Sequence, residues 1–153
     1  MSARGVSLVD LTLRIARRPP DLEIGDAANP YLRRWYVVPR TPGCNVYLHH
    51  ICQDDHDRAL HDHPWWNISF LLRGKYIEVT PSGRKLRRPG IPIARRATSS
   101  HCVELIGDRP VWTLFVTGPV VREWGFHCPA GWRHWKEFVV VTENGNRRGR
   151  GCE

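Results

Sequence analysis

From Arg34 onward, apolar and polar positions alternate in short runs rich in β-branched and aromatic residues. Residues 35–38, 44–52, 65–72, 75–80, 101–105, 111–117 and 138–142 all read this way. Turn residues separate them at 39–43, 73–74, 81–83, 89–90, 107–108, 118–119 and 129–131. Short strands punctuated in this manner predict an all-β sandwich or barrel. Upstream, Leu8, Leu11 and Ile15 recur at helical spacing, and Ser7 with Asp10 three residues later resembles a capping box. A short helix over residues 7–18, ended by Pro19 and Pro20, follows, although alternation of Leu11, Leu13 and Ile15 fits a strand nearly as well. Residues 21–30 read as a polar connection, 75–89 as a hairpin, and the Gly, Arg and Asn after Asn144 as a flexible end. The expected organisation is an N-terminal extension over 1–30, one barrel domain over 31–143 and a basic tail over 144–153.

Composition narrows this picture. A chain of 153 residues suits one domain and buries roughly two-thirds of its surface on folding. Seven Trp exceed what a core of this size needs, so some are expected to line a ligand pocket. No apolar run reaches membrane-spanning length, and Asp10, Arg14, Arg17 and Arg18 interrupt the N-terminal apolar positions, so no signal peptide or membrane span is expected and a cytoplasmic location is. Five cysteines lack C-x-x-C spacing and are read as mostly free thiols. The net charge of +8 concentrates in residues 84–96 and in Arg147, Arg148 and Arg150. Nucleic acid is therefore a candidate partner, against a solvated hairpin and tail.

The chemistry-bearing segment is His61-Asp62-His63. On an extended strand, residues i and i+2 share a face, so two imidazoles can meet at one point. His101 opens a later strand-like run and supplies a third. Neutral imidazole suits zinc, iron, copper and nickel, and three ligands leave positions open for water, substrate or dioxygen.

These residues resemble the cupin superfamily, whose two motifs read G-x5-H-x-H-x3or4-E-x6-G and G-x5-P-x-G-x2-H-x3-N. His61, His63 and Gly74 fall at the first motif's spacings, with Asn67 in the acidic position and Asp55 where the leading glycine belongs. Gly90 and His101 fit the second, while Arg96, Thr98 and Leu105 depart from it. Residues 60–65, 112–119 and 122–126 are further similar to small uncharacterised cupin-like proteins of bacteria and phages. The resemblance implies a double-stranded β-helix, or jelly-roll, barrel and one divalent metal on His61, His63 and His101. Fe(II) leads the expectation, with Zn, Ni or Mn as alternatives. Pairing as a homodimer is also implied.

Asn67 replaces the glutamate that many cupins use as fourth ligand, which leaves three neutral ligands and the ion's full +2 charge. Such a site favours anionic or bidentate small molecules, and three-His iron sites resemble those of thiol dioxygenases and diketone-cleaving cupins. A small-molecule oxygenase is the leading expectation. A nucleic-acid-binding module, a cupin-type sugar epimerase or isomerase, and a cupin that has lost its metal are the rivals.

Other residues carry weaker signals. His49 shares a strand face with Tyr47 and Ile51 and reads as a satisfied core histidine or as pocket lining, and His50 lies on the opposite face. His56 sits in an acidic loop read as a solvated turn. Asp62 is expected to point away from the metal, at the surface or behind a ligand. The aromatic segment 123–135 fits either a lid bringing His127 to the site as an acid/base group or plain packing against the sheet. No phosphate loop, dinucleotide fingerprint or nucleophile elbow occurs, which removes kinases, dehydrogenases and serine hydrolases.

Overall fold

The computed structural model describes residues 8–55, 59–142, 145–148 and 151–152. In chain order the elements are α1 (Leu8–Ala16), β1 (Leu22–Gly25), β2 (Pro30–Tyr36), β3 (Asn45–Ile51), β4 (Leu60–His61), β5 (Asn67–Arg73), β6 (Tyr76–Thr80) and β7 (Gly83–Arg87). They continue with β8 (Ile93–Arg95), β9 (Cys102–Leu105), β10 (Val111–Thr117), β11 (Gly125–Cys128), β12 (Gly131–His134), α2 (Trp135–Phe138), β13 (Val139–Thr142) and β14 (Gly145–Arg148). One antiparallel sheet runs β1-β2-β3-β10-β5-β8. Across from it stand β12-β11-β4 and β7-β6-β9, joined where His61 and His101 bridge. The result is an all-β barrel of two facing sheets. No helix among the described residues is long and apolar enough to cross a membrane.

Period-two alternation decides what each strand turns inward. On β10, Val111, Thr113, Phe115 and Thr117 are buried, and on β5 so are Asn67, Ser69 and Leu71. Strand register stacks these residues in layers: Asn45, Thr117 and Asn67 in one, Tyr47, Phe115 and Ser69 in the next, His49, Thr113 and Leu71 in the third. Polarity therefore falls along the barrel. The apolar end holds the core, Leu32, Ile51, Leu71, Tyr76, Ile93, Val103 and Val111, where each large side chain contributes about 1.5–3 kcal/mol on burial. A cavity of about 1180 Å3 borders this core: Leu32, Ile51, Tyr76 and Val103 share its wall with Ser69 of β5, with Thr113 and Phe115 of β10 and with His61, His63 and His101.

Three expectations change. Residues 8–16 are helical, the strand alternative failing there, while Ser7 lies outside the described residues. The 1–30 extension contains β1, which pairs with β2 inside the main sheet, because Asp26 caps a tight turn by accepting from the Ala28 amide at 2.8 Å. The flexible end after 144 also gives way: β14 pairs with β13, and Cys152 is disulfide-bonded to Cys128 on β11. Backbone pairing and a covalent tie hold a segment whose composition signals only flexibility. Cys44, Cys52 and Cys102 take part in no disulfide among the described residues, in line with the reading of mostly unbridged cysteines.

Candidate metal centre

His61 and His101 exchange two backbone hydrogen bonds, His61 N to His101 O at 2.9 Å and the reverse at 3.0 Å. Paired residues on antiparallel chains project to the same side, so this bridge sets the two imidazoles together, ring centroids 4.8 Å apart. Past Asp62 the chain is held by His63 N to the Ala97 carbonyl, which brings the third ring within 5.1 Å of His61 and 5.3 Å of His101. One ligand nitrogen from each of the three lies within 4.8 Å of the others. The Nε2 atoms of His63 and His101 are 3.1 Å apart. Two nitrogens each about 2.1 Å from one ion, at tetrahedral or octahedral angles, stand roughly 3.0–3.4 Å apart. The donor set fits a divalent ion.

The electrostatics agree. Burial, reinforced by His61 and His101, pushes His63 well below the ordinary histidine value. Burial lowers His101 to about 4, with Glu78 pulling the other way and Arg95 adding to the fall. Both are neutral at pH 7 and can offer lone pairs to a metal.

Carboxylates stand behind two of the ligands. Asp55 approaches His61 Nδ1 at 3.6 Å and accepts from Tyr31 OH and the Val103 amide. Glu78 lies 3.2 Å from His101 Nδ1, close but off the line of a straight hydrogen bond. Glu78 also holds Arg95 and Arg87. Burial alone would raise the Glu78 pKa, but His101 and Arg95 outweigh it and hold the carboxyl well below the usual range. Such partners fix the ring orientation and tautomer of ligating histidines. Sequence reasoning missed Glu78 and Arg95. The available signal was Glu78 two residues after Tyr76, on the inward face of an alternating strand.

Asn67 is fully buried, and its Oδ1 accepts from Arg95 Nη1 at 3.3 Å. That amide oxygen is occupied by a cation.

The aromatic segment forms part of the wall. Phe126 pairs in register with His61, and Trp124, Phe126, Trp135 and Phe138 all line the cavity. Trp124 stacks on Trp135 at 5.8 Å and Phe126 on Phe138 at 3.7 Å. The packing and site-covering readings of this segment thus merge. His127 does not join them: alternation on β11 turns it away from the cavity, and its Nε2 sits 3.1 Å from Asp62 Oδ2. Asp62 itself, expected at the surface or behind a ligand, is 1% exposed. It accepts from the Gly125 amide at 2.9 Å and Trp132 Nε1 at 3.0 Å and pairs with Arg122, so it anchors the aromatic wall.

His49 lines the cavity, and His50 faces outward against Trp112. His56 lies outside the described residues. In the basic stretch, Arg84 pairs with Glu104, while Arg87 and Arg95 pair with Glu78.

No family model matches the sequence, and no curated protein matches it. Solved structures do. A conserved protein with a double-stranded β-helix domain from Klebsiella pneumoniae aligns over 82% of this chain and 97% of its own at 16% identity and a TM-score of 0.53. A DMSP lyase from Ruegeria pomeroyi aligns over 60% of this chain at 15% identity and a TM-score of 0.50, and this chain spans only 49% of that protein. A cupin superfamily protein from Desulfitobacterium hafniense aligns over 57% of this chain and 77% of its own at 10% identity and a TM-score of 0.48. With the two facing sheets, the likeness to the Klebsiella pneumoniae protein identifies the architecture: the chain has a double-stranded β-helix fold, the cupin barrel.

Proposed function

We propose that this protein is a metal-dependent cupin enzyme, an oxygenase that holds one divalent ion, Fe(II), on His61, His63 and His101 and acts on a small anionic molecule in the adjoining cavity. The observation that carries the reading is the cluster itself: three imidazoles converging at one wall of a cavity of about 1180 Å3, with the Asn67 amide oxygen bonded to Arg95. When bound, such an ion supplies open coordination positions for substrate oxygen and dioxygen. The chain's own residues do the rest. Asp55 and Glu78 orient two of the ligands, and Trp124, Phe126 and Trp135 shield the cluster from water.

A redox-neutral reaction is the second reading. It is favoured by Tyr31, a cavity-lining phenol bonded to Asp55 beside His61, where a proton can be held and passed. The DMSP lyase among the similar folds is compatible with it. Polyanion binding through residues 84–96 is the weaker alternative, since of Arg84, Lys85, Arg87, Arg88, Arg95 and Arg96 three, Arg84, Arg87 and Arg95, are already matched by carboxylates.

Protein purified without a His tag is expected to carry about one divalent ion per chain, and His61→Ala to lose it. Full occupancy in that variant sinks the metal reading. Iron-loaded protein that turns over candidate acids only in air supports oxygenase chemistry, whereas equal turnover by zinc-loaded protein under nitrogen supports the redox-neutral reading.

A further inference from the structure

The cavity holds a second polar group, apart from the histidine cluster. Arg34 on β2 stands directly opposite His49 on β3, and both side chains line the cavity. Arg34 Nε donates to His49 Nε2 at 2.9 Å, and its guanidinium carbon lies 4.6 Å from the centre of the Tyr47 ring. Arg18, Arg33, Arg84, Arg87, Arg95 and Arg122 each meet a carboxylate. Among the described residues Arg34 meets none, although it is half-buried. The two acidic residues that share its cavity are engaged elsewhere, Asp55 with Tyr31 and the Val103 amide, Asp26 with the Ala28 amide.

His49 stacks with Tyr47 at 5.8 Å and with Phe115 at 5.0 Å between ring centroids. Burial and the neighbouring Arg34 charge push it well below the ordinary histidine value. It therefore stays neutral, with its lone pair at Nε2 facing Arg34 and its hydrogen at Nδ1. That bond uses Arg34 Nε and fixes the plane of the guanidinium. The hydrogen bonds of the described residues leave Nη1 and Nη2, one edge of the fork, uncommitted. Two parallel N–H donors on a planar cation match the two oxygens of a carboxylate, a geometry that a point charge such as lysine does not reproduce. Arg40, also on the cavity wall and set over Tyr36 at 5.5 Å, adds positive potential at the mouth.

Phe115 links this group to the histidine cluster. Its ring is 5.0 Å from His49 and 5.9 Å from His63, so one aromatic side chain separates the two polar sites. We propose that Arg34, oriented by His49, binds a carboxylate of a small organic acid whose other end passes Phe115 to reach the His61, His63 and His101 cluster. Arg34 is then the specificity-determining residue and His49 a positioning residue. The second half of this inference rests on the metal reading, and the first half does not.

The test is calorimetric titration of the full chain, zinc-loaded and metal-free, with glutarate, its neutral diamide and inorganic phosphate. Glutarate is expected to bind wild-type protein, with the diamide at least tenfold weaker. Arg34→Gln should raise the glutarate Kd at least tenfold with zinc content unchanged, and Arg34→Lys should recover only part of the loss. His49→Leu should weaken glutarate at least threefold while Arg34 is retained. A Kd within twofold of wild type in Arg34→Gln overturns the proposal, as does a diamide that binds as tightly as glutarate. Phosphate binding more tightly than glutarate overturns the carboxylate assignment. If Arg34→Gln does not fold, the wild-type contrast between acid and diamide decides the same question. Arg34-dependent binding in a protein that takes up no zinc overturns the metal reading and leaves the carboxylate site standing. Stoichiometric zinc with no dependence on Arg34 does the reverse.

Discussion

Glu78 shows how much a single side chain can organise. Its carboxylate is 1% exposed yet meets Arg95, Arg87 and His101. Removing one partner from a buried ion pair strands the other, at about 3–5 kcal/mol. Glu78→Gln is expected to lose that much in urea unfolding, and Glu78→Leu combined with Arg95→Met to regain most of it. Metal affinity should not return in the double variant, because His101 still lacks its carboxylate, and a 10–100-fold loss is the expected size. Recovery of stability and affinity together counts against Glu78 as an orienting group. The histidines themselves were legible in the sequence, since His61, His63 and His101 fall at the spacings of the cupin motifs, whereas an H-x-H pair alone is a weak signal. Arg34 was not. It adjoins Arg33, and only strand register shows that one pairs with Glu23 at the surface while the other enters the cavity.

Between elements, Asp62 is the fastening. Bonded to the Gly125 amide, Trp132, Arg122 and His127, it joins the end of β4 to β11 and β12. Asp62→Ala leaves the Gly125 amide and the Trp132 indole without their acceptor. A loss of about 3 kcal/mol is expected, at about 1–3 kcal/mol for each group stranded. Faster amide exchange over residues 124–134 is expected with it, and unchanged exchange there places the anchor elsewhere. Asp62→Asn, which keeps an oxygen for Gly125, should lose less. Long alternating runs were readable: 111–117 is β10 residue for residue, and 44–52 contains β3. The short strands β1, β4, β8, β11, β12 and β14 were not, because two to four residues carry too little alternation to stand out and take their conformation from a partner strand.

For the molecule as a whole, buried neutral histidines predict sensitivity to acid. Unfolded His49 takes up a proton near pH 6.5, whereas in the fold its pKa lies well below that value. Below pH 6.5 the unfolded chain binds more protons, so stability rises with pH across this interval and is lost as pH falls through it. The slope is about 1.4 kcal/mol per pH unit for one such group. Urea unfolding of metal-free protein at pH 7 and pH 5 should show His49→Gln losing less stability than wild type, and equal losses exclude His49 as a source. The barrel was legible as a class because its turns and runs repeat throughout the chain. The cavity was not, since its wall is assembled from side chains of both sheets, which no single strand displays.

Strand order has a consequence for how the chain is made. β10 lies between β3 and β5, so two segments that precede it in sequence cannot close on each other until residue 117 exists. All three histidines leave the ribosome earlier, by residue 101. Until β10 is available, β3 and β5 each lack the neighbour that covers one edge, and an uncovered edge invites pairing with other chains.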